Sequence, residues 1–512
     1  MHALEKTQTP ITPEVATRMA LGVIIVKVAG RCDFVCDYCY EYTKPDQSWR
    51  ERPAFMEEEV MTFTAHRAAQ HAVDNRLNRL TIAFHGGEPF LAERSRPGYF
   101  ARALEVFNNA REAWGWNGQF DFIIQTHGKY VTRELAENFY KMGIQIGVSL
   151  DGDKQANDLH RLDRRGDSTY QAGADALRLI SEYPGLQATT LATMDLRVEA
   201  LDTYKHLRSL GAKAIEFNMP HGTWTNLPPG YRGPLEPMGY GDQLCKVFDY
   251  WWTERDRASI PLFNEIVRLL LGKPGSLEYL GPFTPDVVTV RTDAGIDDVD
   301  IMSITANGRM NLGLNVFEDS FDAVLDHPKI RARQMGKLGL DEGCHICPAL
   351  DICHGGYFPE RYKEGSNQGK AFAELEEFMN RTVYCADLYQ LIGHIARFMA
   401  DLRGSVLAMM MSGGRGLHGI WRQLGERSKK QEADLYRSHR EELARKVLDS
   451  QIEQARNKDR PPRKPAWQEL PYPDNYELGQ TGRAAAQEWL RQQEENRKHR
   501  QKFSRDRSLS NS

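Results

Sequence analysis

Long apolar runs are missing from this chain of 512 residues. None approaches the ~18 residues that a spanning helix needs, so no membrane segment is expected. The N-terminus also lacks a basic stretch followed by an apolar one, so no signal peptide is expected and the reading is a cytoplasmic protein. Cysteine is scarce, with 8 residues. In a reducing compartment such cysteines bind metals or react more often than they pair. Excess charge is missing too: the net is −4, which argues against a nucleic-acid partner. The small imbalance is uneven, because residues 426–512 carry 20 basic and 15 acidic side chains. That tail reads as a separate, charged, mainly helical extension. What is present is a globular composition, 41% apolar and 27% charged, over enough chain for roughly two to four domains.

Between residues 20 and 220 one pattern repeats: short β-branched or aromatic runs alternate with stretches of helical period. Strands are expected over Val23–Val28, Leu80–His85, Phe120–Thr126, Ile144–Leu150, Ala188–Met194 and Ala214–Met219. Helices are expected near Glu57–Asn75, Tyr99–Trp114, Val131–Met142, Tyr170–Ser181 and Leu196–Leu210. This alternation implies an α/β fold with a parallel sheet and ligands at the C-terminal ends of its strands. Six units instead of eight predict a partial barrel. After Pro220 a Gly/Pro-rich connection leads to a helix around Gln243–Trp252, then a hairpin near Ile301–Asn315 turning at Asn307-Gly308. The expected units are a lead-in over 1–20, the barrel over 21–230, a helical connection over 231–300, a cysteine domain over 301–400 and the extension over 401–512.

Six of the eight cysteines fall into two groups. In the first, Cys32-Asp-Phe-Val-Cys36-Asp-Tyr38-Cys39 directly follows the first expected strand. Three thiolates on one short loop suit three irons of a cubane cluster, leaving its fourth iron open to a ligand. Structural zinc is the alternative, but it wants four ligands in pairs, and no fourth Cys or His has the usual spacing. The second expected strand ends in His85-Gly86-Gly87-Glu88-Pro89, where two glycines permit close backbone approach and a carboxylate can meet an ammonium group.

A CxxxCxxC loop after the first strand and GGEP after the second resemble the radical S-adenosylmethionine enzymes. The resemblance implies a partial (β/α)6 barrel, with a 4Fe–4S cluster on Cys32, Cys36 and Cys39 and S-adenosylmethionine chelating its open iron. It also implies cofactor contacts from Tyr38, which would pack the adenine, and from Gly86, Gly87 and Glu88, which would receive the amino group. Ser149, in an SxDG-like segment, and Arg161, facing the carboxylate, would add to these, with Gln125 a further contact. No catalytic base is assigned: His85, His127 and Asp151 lie at strand ends without a partner visible in the sequence.

The second group, Cys344-x2-Cys347-x5-Cys353, with Cys385 beyond it, resembles the SPASM extension of radical S-adenosylmethionine peptide maturases. That pattern has seven cysteines for two auxiliary clusters. Here the hairpin cysteine's place is Gly313 and the last cysteine of the run is Tyr357. Cys344, Cys347, Cys353 and Cys385 match the ligands of one auxiliary 4Fe–4S cluster; zinc on the same four is the alternative. Cys245, on an expected helix, reads as a packed thiol.

Longer stretches are similar to the FxsB-type branch: Val26 through Arg50, His327-Pro328 with Arg331 and Arg333, and Gly355-Gly356-Tyr357 followed by Tyr384-Cys385-Ala-Asp387-Leu. No HExxH-like segment follows residue 400. The resemblance implies a precursor-peptide substrate, an electron donor such as flavodoxin or ferredoxin, and cyclophane-type C–C cross-linking to an aromatic residue. Thioether formation and sulfatase-type maturation stay open, although the place where sulfatase maturases carry an acidic base is Leu314 here. A non-catalytic iron–sulfur scaffold is the third reading.

Overall fold

The computed structural model describes residues 19–366 and 376–401. The expected N-terminal lead-in, save its last two residues, and the charged extension, save its first, lie outside the described residues.

Six strands run parallel in sequence order: β1 (Val23–Ala29), β3 (Arg79–Gly86), β4 (Gln119–Thr126), β5 (Gln145–Ser149), β7 (Thr189–Thr193) and β8 (Ala214–Asn218). Between them lie α1 (Glu58–Asp74), α2 (Phe90–Ser95), α3 (Tyr99–Ala113), α4 (Arg133–Met142), α5 (Lys154–Asp158), α6 (Tyr170–Ser181) and α7 (Ala200–Ser209). The expected strands and longer helices are all present, with ends shifted by up to four residues. The reason is apparent in β1, whose run Val-Ile-Ile-Val-Lys-Val-Ala is almost wholly buried, as a strand covered on both faces requires. Local signals fix the helix ends. The Thr132 side chain accepts from Leu135 N before α4, and Gly143 takes a left-handed conformation (φ 73°) after it.

The sheet does not stop at six strands. β9 (Val287–Val290) pairs parallel to the free side of β1, and β10 (Gly295–Asp297) and β11 (Asn311–Asn315) follow antiparallel. The full order is β11-β10-β9-β1-β3-β4-β5-β7-β8. The segment 231–300, expected to be helical, thus holds α8 (Tyr240–Thr253) and α9 (Pro261–Leu270) and also two strands. All four side chains of β9 are buried, and a run of four carries too little periodicity to separate strand from helix. The expected hairpin is also corrected. Its second arm is β11, but the first is β10, and Asp300–Ile304 forms a 3-10 helix. Gly308 still turns the chain at φ 69°.

A two-stranded ribbon lies outside the sheet. β2 (Phe34–Cys36), inside the cysteine loop, pairs antiparallel with β6 (Arg161–Asp163), so that Cys36 stands opposite Arg161. Three-residue strands have no legible periodicity, so only the structure shows that these two segments meet.

Candidate functional site

The C-terminal ends of the parallel strands surround a cavity of about 470 Å³, within the ~300–1,000 Å³ range of small-molecule sites. Cys32, Cys36 and Cys39 line it, with Tyr38, Gly86, Gly87, Gln125, Ser149 and Arg161. Nine of the ten expected barrel site residues therefore meet in one place.

Close approach explains the two glycines. Gly87 N donates to Ala29 O at 2.8 Å, and Glu88 N to Arg31 O at 3.0 Å. A Cβ on Gly86 would fall 2.1 Å from Ala29 O, and one on Gly87 would fall 1.9 Å from the Tyr42 hydroxyl. Side chains there would push the cysteine loop off the end of β3.

Glu88 is the tenth residue, and it does not line the cavity. It is fully buried. Its Oε1 accepts from Phe90 N (3.0 Å) and the Thr126 hydroxyl (2.8 Å), and its Oε2 from His127 N (3.0 Å). A buried carboxylate needs such donors, and here it fastens the end of β3 to the end of β4 beneath the glycines. On the far wall, Gln125 Nε2 donates to the Ser149 hydroxyl at 2.8 Å. Arg161 Nη1 donates to the Tyr38 hydroxyl at 2.9 Å, and that hydroxyl donates to Asp151 Oδ2 at 2.5 Å. This chain orients Tyr38 in the loop and adds a polar bond to the β2–β6 pairing.

The three residues left as unpaired candidate bases all have partners. Asp151 accepts from Tyr38 and from Thr193 N. His127 stacks on Phe34 with centroids 3.7 Å apart, and its Nε2 lies 2.9 Å from Asp33 Oδ1. His85 Nδ1 is 3.1 Å from Lys27 Nζ.

Lys27 leads to a group that the sequence reading missed. It is 2% exposed, with Nζ 2.6 Å from Asp300 Oδ2 and 3.0 Å from Glu41 Oε2. The Tyr40 hydroxyl donates to Asp300 Oδ2 at 2.6 Å, and Arg291 Nη1 to Glu41 Oε1 at 2.6 Å. Burial opposes ionisation of both carboxyls, yet the cations beside them hold both below the usual carboxylate range. His85 moves the other way: burial, then the Lys27 ammonium, push it down to about 4, so the ring is neutral. One signal was available in the sequence: a lone lysine inside an apolar strand asks for a buried partner.

The donor chemistry fits an iron–sulfur cluster in the loop. Burial raises all three thiols, Cys39 to about 11, an effect that bound cations would reverse. Among the described residues the only set of three such ligand atoms within 4.8 Å of one another is Cys32, Asp33 and His127. Neither cysteine group closes as a trio to the spacing of a single tetrahedral zinc, with its Zn–S bonds of ~2.3 Å. Wider spacing suits sulfurs that each bind a different iron. The cavity also holds shielded polar atoms without protein partners, the Tyr42 hydroxyl and Trp49 Nε1, which a bound ligand would satisfy.

The second group also assembles. The thiol of Cys353 is raised by burial and by the charges of Cys385, Cys344 and Cys347, so all four sit within one another's field. The Asp341 carboxylate caps the short helix carrying Cys344. Left-handed Gly355 and Gly356 bring the chain after Cys353 against Leu340 and Thr382. Arg361, buried, and Arg381 face these thiols, positive charge that would suit a cluster with four thiolates. Tyr357 is half-buried, its ring 6.3 Å from Tyr279. Cys245 is half-buried on α8, against the core.

No family model matches the chain. It is homologous to anaerobic sulfatase-maturating enzymes. The cysteine-type enzyme of Clostridium perfringens (strain 13 / Type A) is 23% identical over 343 residues, 66% of this chain and 88% of that one. The serine-type enzyme of Klebsiella aerogenes is 25% identical over 263 residues, 51% of this chain and 62% of that one. Among solved structures, native anSMEcpe with bound AdoMet superposes with a TM-score of 0.61 at 20% identity, covering 75% of this chain and 99% of that one. The chain shares their fold and is an enzyme, which sets aside the scaffold reading.

Proposed function

We propose that this chain is a radical S-adenosylmethionine maturase that oxidises a ribosomally made precursor peptide, joining an aromatic ring carbon to the β-carbon of a nearby residue. The observation carrying this reading is the meeting of three cysteine thiols, two obligatory glycines and the Tyr38–Arg161 pair around one cavity at the strand ends. When bound, the cluster and S-adenosylmethionine supply a carbon radical able to remove a hydrogen atom. The chain's own part is placement and exclusion of water. Gly86 and Gly87 let the loop sit close over β3, while Tyr38, Gln125, Ser149 and Arg161 orient the cofactor. Glu88 acts from behind the wall, by fixing the strand ends. Cys344, Cys347, Cys353 and Cys385 would hold one closed auxiliary cluster, suited to electron transfer. A flavodoxin or ferredoxin in the cytoplasm would supply electrons.

Sulfatase-type oxidation is the second reading, supported by the similarity to sulfatase-maturating enzymes. Against it, the residue after the position of the hairpin cysteine is Leu314, on β11, packed at the edge of the core. The two are separated by anaerobic reaction of the reconstituted enzyme with dithionite and S-adenosylmethionine, followed by mass spectrometry. A cross-linking enzyme releases 5′-deoxyadenosine and leaves its peptide lighter by a pair of hydrogens per bond, with every cysteine still alkylatable. A thioether former consumes a cysteine, and a sulfatase-type enzyme converts one cysteine or serine to an aldehyde that hydrazide reagents trap. A chain that makes no 5′-deoxyadenosine under these conditions removes the whole proposal.

A further inference from the structure

Three histidines line the cavity: His85, His127 and His221. The first two are engaged, His85 by Lys27 and His127 by Asp33. His221 differs, because its Nδ1 is buried without a hydrogen-bond partner. Folded chains seldom keep such a group without a use for it.

The segment that carries it is held firmly. His221 lies three residues beyond β8, between cavity-lining Met219 and the connection to α8. Its carbonyl accepts from Lys44 Nζ at 3.0 Å. The carbonyl of the preceding Pro220 accepts from the hydroxyl of Tyr384, the residue beside Cys385. The Tyr40 ring meets the imidazole edge-on, centroids 5.8 Å apart at 90°. With the backbone pinned on both sides, the side chain itself is left for a ligand.

We propose that His221 is a catalytic residue whose imidazole takes the proton that the substrate loses as it is oxidised. This rests on the maturase reading. Forming a bond with loss of a pair of hydrogens removes one hydrogen atom, one proton and one electron from the peptide. The hydrogen atom ends on 5′-deoxyadenosine. The C–H bond that breaks as the ring regains aromaticity would release its proton to His221, and Cys344, Cys347, Cys353 and Cys385 would hold the iron–sulfur cluster able to take the electron. The imidazole is ready for this: burial, then the Lys44 ammonium, hold it neutral with a pKa of about 4, and the Asp300 carboxylate opposes that only in part.

The test begins without a peptide. The full-length, cluster-reconstituted enzyme is treated with diethylpyrocarbonate from pH 4 to 7, with and without S-adenosylmethionine, and modified histidines are mapped by mass spectrometry. His221 should be modified, and should stay reactive with S-adenosylmethionine bound. An inert His221, or one shielded by S-adenosylmethionine, overturns the proposal. A second arm uses synthetic peptides holding cysteine, serine and aromatic targets. For any that the enzyme modifies, His221→Ala should lower product formation about 100-fold and raise 5′-deoxyadenosine made per product, with free imidazole restoring part of the rate. Product formation by His221→Ala at the wild-type rate overturns it. Failure of the maturase reading shows separately, as absent 5′-deoxyadenosine from the wild-type enzyme whatever the footprint.

Discussion

Gly87 is the residue on which the cavity leans most heavily. A methyl group there would meet the Tyr42 hydroxyl at 1.9 Å and Arg31 O at 2.3 Å. One of those neighbours is backbone, so the cysteine loop must move. Gly87→Ala should therefore weaken S-adenosylmethionine binding at least tenfold by calorimetry while leaving the circular dichroism spectrum unchanged; binding of ordinary strength would show that the loop yields. Lys27 is the opposite case, a charge where the pattern asks for an apolar residue. Lys27→Met leaves Glu41 and Asp300 buried beside each other with one cation fewer. A loss of about 3–5 kcal/mol in urea unfolding is expected. The same group sets a pH dependence. Folded His85 stays neutral down to about 4, whereas the unfolded chain takes up that proton near ~6.5. Asp300, held low, likewise resists protonation when folded. In both cases the unfolded state binds more protons as the pH falls, so this group's contribution to stability declines from pH 7 towards 4. Buried Glu216 and Glu360, pushed up to about 7, act in the opposite direction, so the group is read by difference. Between pH 7 and pH 5 the urea midpoint of His85→Gln should fall less, or rise more, than that of the wild type, and identical pH profiles contradict the assignment.

At the scale of elements, legibility followed periodicity and length. Six strands and five helices were readable because each runs long enough to show its pattern, and all six strands fell at their expected places in the sheet. What escaped was short or depended on contacts distant in sequence. β2 and β6 are three residues each, and β9 found its place only by completing the free side of β1. The site divides in the same way. The cysteines, glycines, Tyr38, Ser149 and Arg161 belong to local motifs. Lys27, Glu41, Asp300 and His221 act through partners tens to hundreds of residues away, which no single stretch displays. Glu88 was found by motif, but its direction was not: only the burial of its carboxylate shows that it faces the strand ends. One connection deserves its own test. Asp387, on the helix Cys385–Asp401, accepts from Met238 N, Gly239 N and Gly241 N at 2.8, 3.0 and 2.9 Å, capping the start of α8 with a negative charge. Asp387→Ala strands those amides, and a loss of about 2–4 kcal/mol is expected, read as a lowered thermal midpoint.

At the scale of the whole molecule, two cysteine sites stand on one sheet-based core. They differ in kind: three thiols open to a cavity, against four thiols facing one another with two arginines beside them. The difference should be countable. Cys385→Ser should reduce the iron of the anaerobically reconstituted enzyme from about eight to about four per chain, whereas an unchanged count would place the second cluster elsewhere. The Lys27 network spans the same core, and its order along the chain has a consequence for synthesis. Cys32, Cys36, Cys39 and Lys27 leave the ribosome more than 250 residues before Arg291 and Asp300. Until then β1 lacks its β9 neighbour and Lys27 has no Asp300 to meet. The segment carrying Cys32, Cys36 and Cys39 therefore completes its buried charge network only once the chain has been made past residue 300.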